Sequence, residues 1–104
     1  MNANLRPSDI PLICRALQVI ADKPDSFFDG IRPDIIPVLK SSARELSVKL
    51  RFHPGSFDHQ EIFAVYAACN YAQSLPAFSQ KEKRTLLQYE ELFHALIANH
   101  NMSQ

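Results

Sequence analysis

The stretch 58–75 carries no charged side chain beyond its first turn. Much of the rest of it is alanine, a β-branched residue or an aromatic, so the segment is expected to lie inside whatever the chain builds. Asp58 can cap a helix here, and Glu61 three residues later adds a weaker form of the capping box. Successive helical residues are about 100° apart. On that wheel Ile62, Val65, Tyr66 and Cys69 share one side, with Phe63 at its margin. Ala64, Ala68 and Ala72 form a separate stripe at four-residue spacing, with Tyr71 beside it. A helix apolar on two sides is normally interior. Fully burying each of Ile62, Val65 and Phe63 contributes about 1.5–3 kcal/mol. The alanine stripe lets another backbone come close, within one chain or across a subunit interface.

The neighbouring segments read as helices that wrap this one. Ser8 is placed to cap the first, Asp9 suits the positive end of its dipole, and Pro11 is tolerable because it falls in the first turn. Ile10, Ile13, Leu17 and Ile20 centre its apolar arc, Leu12, Val19 and Cys14 widen it, and Arg15, Gln18 and Asp22 make a narrow polar strip. Pro24, Gly30 and Pro33 punctuate the connection 23–33. Within that connection Phe27 and Phe28 stand side by side: one plugs the core while the other rests on the surface, or a short helical turn holds both.

A second helix opens alike, with Asp34 as cap and Pro37 in the first turn. Residues 46–52 alternate apolar and polar, which is a strand signal. The helix template explains more of the segment. Ile35, Ile36, Leu39, Ala43, Leu46 and Leu50 fall within one arc, and Glu45 with Lys49 makes an i,i+4 pair in the favourable order. The helix is expected to fray before the turn dipeptide at Pro54 and Gly55. The fourth helix opens on Ser79 and Glu82, a full capping box. It buries Leu86, Tyr89, Phe93, Leu96 and Ile97, leaves Leu87 outside, and is expected to end near Ala98 beside Asn99 and Asn101.

These readings give an all-α fold: a small four-helix bundle-like domain with a central buried helix, one unit over 1–104, with 1–7 and 100–104 flexible. A chain of 104 residues can bury a core without metals or disulfides. Cys14 and Cys69 both lie on apolar faces and are expected as buried free thiols in a reducing compartment. Residues 1–6 are polar, with no leader-like apolar run after them, and no stretch approaches a membrane span. The expectation is a soluble, cytoplasmic protein with no membrane contact.

Chemistry is harder to find. Glu91 and His94 have the Glu-x-x-His spacing of di-iron bundles, but such sites need two pairs and further carboxylates, and the wheel turns this pair outward. His53, His59, Glu61 and His100 do not build a metal-ligand spacing. Cys69 lies in the most apolar segment, where a thiol is inert. Two glycines make no phosphate loop. The expectation is a non-enzymatic chain without metal or cofactor.

The surface of the second helix is more informative. Lys40, Arg44 and Arg51 share one stripe, with Ser47 at its edge, while Val38, Val48 and Phe52 fall off the core arc. Arg32, Lys40, Arg44, Lys49 and Arg51 outweigh Asp34 and Glu45, so the segment is locally positive although the chain is neutral overall. Lys40, Arg44, Val48, Arg51 and Phe52 are therefore the expected protein-binding strip: apolar groups give affinity, and cations give orientation and encounter rate. The expected role is a small protein–protein interaction module, an adaptor, inhibitor or regulator. Helices one and three ask for more cover than a small bundle gives, which points to a homodimer. The alternative is an accessory nucleic-acid-binding role for the same stripe together with Lys81, Lys83 and Arg84, without support from net charge or a recognition motif.

Overall fold

Both capping boxes start helices. In the computed structural model, which describes residues 3–53 and 55–102 and the side chains of that range as far as residue 99, the chain is all-helical. α1 spans Ile10–Ala21, α2 Ile36–Lys49, α3 His59–Ala72 and α4 Gln80–Met102. Asp58 accepts the Glu61 N–H at 2.8 Å, and Glu61 accepts the Asp58 N–H at 2.9 Å. Ser79 and Glu82 repeat that exchange at 3.1 and 2.9 Å. Each pair satisfies two backbone donors that a helix start leaves open.

α3 is the central rod. It packs against α1, α2 and α4. Ile62, Val65 and Cys69 are buried on one side, and Ala64, Ala68 and Ala72 on the other, with Ala67 buried beside them. The alanine stripe is thus covered within the single chain. α1 buries Ile13, Cys14, Ala16, Leu17, Ile20 and Ala21, and its shoulders Leu12 and Val19 pack at the core's margin. α4 brings Leu86, Tyr89 and Phe93 inward, Phe93 meeting Phe57 edge-on with ring centroids 5.3 Å apart.

Residues 46–52 are helix and turn. Their alternation comes from α2's core arc, where Leu39, Ala43, Leu46 and Leu50 are buried and Ile35 half-buried. Past Lys49 the α-helix gives way to turn, with the Arg51 N–H on the Val48 carbonyl at 3.2 Å and the Phe52 N–H on the Lys49 carbonyl at 3.0 Å, both three-residue bonds. Pro54 lies outside the described residues. Gly55 takes φ +106°, a left-handed value open to glycine.

Several local expectations give way to tertiary contacts. Ser8 does not cap α1; it sits exposed in a 3-10 turn at Pro7–Asp9. Asp9 occupies the cap position, but its carboxylate accepts the Tyr89 hydroxyl at 2.6 Å instead of a backbone N–H. Asp34 does not cap α2 either, because Arg32 holds its carboxylate at 3.0 Å and Ile35 takes the cap position. Lys49 turns away from Glu45 and pairs with Glu61 at 2.8 Å, joining α2 to the first turn of α3. The described part of the N-terminal arm is docked rather than frayed. Ala3 is buried and its N–H meets the Gly55 carbonyl at 3.0 Å, while the Arg6 N–H donates to Tyr89 Oη at 3.1 Å. Residues 1–2 and 103–104 lie outside the described residues. α4 continues to Met102, one turn beyond the expected end.

The paired phenylalanines divide as expected. A 3-10 turn at Asp25–Phe27 lets Phe28 bury itself while Phe27 stays half-exposed. Phe28 meets Tyr71 edge-on at 5.4 Å, and the Tyr71 hydroxyl donates to the Asp29 carbonyl at 3.0 Å, so the connection is fastened to the end of α3.

Two measurements follow from this packing. Ala68→Leu should overfill the contact around α3 and lower stability by about 1–3 kcal/mol in urea unfolding; an unchanged midpoint would mean the stripe is not packed. The Glu82 carboxyl is drawn down from 4.5 to about 2, chiefly by its 2.9 Å contact with Arg15 and by the capping N–H of Ser79. A depressed carboxylate stabilises fully above its unfolded pKa and loses that contribution as pH falls through the folded value. The stability lead of the native chain over Glu82→Gln should therefore shrink between about pH 4.5 and 2, in urea midpoints measured across that range.

Candidate functional site

The five residues of the expected strip divide into two kinds once α2 is packed. Lys40 reaches Asp25 at 3.3 Å, tying α2 to the turn after α1. Arg44 donates to the Ala21 carbonyl at 3.2 Å, at the end of α1 where backbone acceptors lack helical partners. Arg51 lies beside Cys14, whose thiol burial pushes up and Arg51 pulls down more weakly. The stripe thus runs along the flank of α1. Ser47 between these cations is buried, its hydroxyl donating to the Arg44 carbonyl at 2.7 Å. Lys40 and Arg44 hold the fold together as much as they face outward.

Val48 and Phe52 are different. Val48 is 58% exposed and Phe52 72% exposed, and they stand four residues apart where α2 unwinds. Neither has a place in the core, because the arc of Leu46 and Leu50 points the other way. Arg44 and Arg51 stand on one side of this pair, and among the described residues neither faces a carboxylate. Glu45 lies on the other side.

One feature was not read from the sequence. Two open hollows lie against the outer side of α3: one of about 380 Å³ under the connection 29–32, and one of about 420 Å³ beside the start of α2. Ile35 and Phe63 line both, so the two lie side by side and together are called the trough. Tyr66, Tyr71 and Asp29 border its first part, and Val38, Ser42 and His59 its second. The signals were faint: Ile35 at the edge of its arc, Phe63 at the margin of its own, and Val38 outside any arc. The trough needs two helices brought together, and no single wheel shows that.

The positions set aside as chemistry are placed as follows. Glu91 and His94 are both exposed on α4, and the His94 ring lies 5.8 Å from that of Tyr66. Glu61 is taken by Lys49 and by its own cap. The His100 side chain lies outside the described residues. Among the described residues no three or more His, Cys, Asp or Glu side chains gather as a metal site would require. Cys14 and Cys69 are buried free thiols. Burial pushes the Cys69 thiol up to about 12, with Glu90 adding to the shift, so it carries almost no thiolate near neutral pH. Among the described residues no helix is long and apolar enough to cross a membrane.

Comparison with family models, with curated proteins and with solved structures finds no match to this chain.

Proposed function

We propose that this chain is a non-enzymatic protein–protein interaction module, an adaptor, inhibitor or regulator acting in the cytoplasm, and that its contact surface is the outer side of α2 around Val48, Arg51 and Phe52. The observation that carries the reading is the exposure of Phe52 and Val48, the two most exposed large apolar side chains among the described residues. Exposed aromatics beside arginine are the composition of interface hot spots. Lys40 and Arg44 border this surface and keep their charge near it, but much of their bonding is spent on Asp25 and Ala21.

That spending also weighs against the nucleic-acid reading. Phosphate binding needs cations free to replace condensed counterions, and two of the three on this stripe already hold the fold. An apolar pair at the centre of the surface has no use in a phosphate contact. The inert Cys69 thiol likewise gives no support to a nucleophilic enzyme.

The surface is tested by capture from the native cell with four baits: the unmodified chain, Val48→Asp, Phe52→Ser, and Leu87→Asp on the far side of α4. Proteins bound by the unmodified chain should be lost with the first two variants and retained with Leu87→Asp. Equal retention by all four would remove the α2 surface from the account.

A further inference from the structure

Val38, Ser41, Glu45 and Val48 follow one another at three- and four-residue spacing along α2, and Phe52 comes four residues later in the turn past Lys49. This is the spacing of a coiled-coil seam, yet here the seam faces away from the core. Val38 is 45% exposed at one end, and Val48 and Phe52 are exposed at the other. Val38 and Val48 lie about 15 Å apart at the helical rise, with Phe52 beyond Val48. The two ends are unlike in shape. At the Val38 end lies the trough, and its second hollow, about 420 Å³, is roomier than a phenyl ring. At the Phe52 end stands an aromatic knob that is exposed among the described residues.

A face with a hollow at one end and a knob at the other is complementary to itself when reversed. We propose that the partner on this face is a second copy of the chain: α2 lies antiparallel on α2 about a two-fold axis near Glu45, and Phe52 of each copy enters the other's trough beside Val38. This rests on the interaction reading above and names the occupant. The small side chains of Ser41 and Ser42 let the two helices approach between the anchors.

Charge points to the same occupant. The start of α2 carries Asp29 and Asp34 against Arg32, which is already paired with Asp34 at 3.0 Å. The exit carries Lys49, which pairs with Glu61 at 2.8 Å, and Arg51, which lies beside Cys14 and has no ion pair among the described residues. The antiparallel arrangement sets the positive end of each copy on the negative end of the other, and a parallel one would set arginine on arginine. The two-fold makes the interface isologous, so each anchor is used twice and the assembly closes at two copies.

Mixing experiments read this geometry directly. Val38→Cys and His53→Cys each place one reactive thiol on the surface and keep Phe52, while Cys14 and Cys69 stay buried. A short bis-maleimide should join the two variants when they are mixed and leave either variant alone largely unjoined. Light scattering of the unmodified chain should give about twice 11.8 kDa at tens of micromolar. Phe52→Ser should raise the dimer dissociation constant at least about tenfold. Two results overturn the proposal: a monomer mass throughout that range, or cross-linking as strong within one variant as between the two. A monomer whose captured proteins are still lost with Val48→Asp overturns the second copy as occupant and leaves the interaction reading standing. Equal capture by all four baits removes that reading itself.

Discussion

The alanine side of α3 sets the distance at which the rest of the molecule packs. Ala64, Ala68 and Ala72 are fully buried and present almost no side chain, which leaves room for a neighbouring element to come close. The opposite side carries Ile62, Val65 and Cys69, large enough to fill the remaining space. A rod thin on one side and thick on the other can touch three helices at once without leaving voids, and voids in a core are costly. With these two sides of α3 covered, the large apolar side chains left exposed among the described residues are Val38, Val48 and Phe52 on or just past α2, and Leu87 and Leu92 on α4.

That division explains which side chains are free to meet a partner. α1 and α4 spend several polar groups inside the molecule, on each other, on α3 and on the N-terminal arm. Arg15 pairs with Glu82 while its guanidinium lies 4.5 Å from the Phe78 ring, and Tyr89 holds both Asp9 and the arm at Arg6. α2 uses Lys40, Arg44 and Lys49 in the same manner. Its outward apolar residues Val38, Val48 and Phe52 have no such use. Their exposure costs the isolated chain hydration free energy, and a contact that covers them recovers it.

Much of the fold was legible in the chain because it rests on local periodicity. The burial of α3, both capping boxes, the helical reading of 46–52 and the core arcs all depend on residues within a few turns of one another. The failures share a cause. For Asp34, Ser8 and Glu45 the nearest available role loses to a competing one: Arg32 two residues away on Asp34, a local 3-10 turn at Ser8, and Glu61 from the next helix on Lys49 in place of Glu45. Local spacing says what a side chain can do and is silent on what competes for it. Of the expected contact strip, the exposure of Val48 and Phe52 was readable from the wheel. The trough was not, because it exists only between two helices whose relative placement no one-dimensional pattern contains.

The central claim is that α3 is the most deeply held element and that its neighbours wrap it. Native-state hydrogen exchange of backbone amides tests this most directly, since core elements open only with the whole molecule while peripheral ones open locally. Amides of residues 64–72 should exchange only through global unfolding, with a denaturant dependence matching that of the complete transition, and more slowly than those near the ends of α2 and α4. Exchange of those α3 amides through small local openings, faster than in α1 or the middle of α4, would contradict the account.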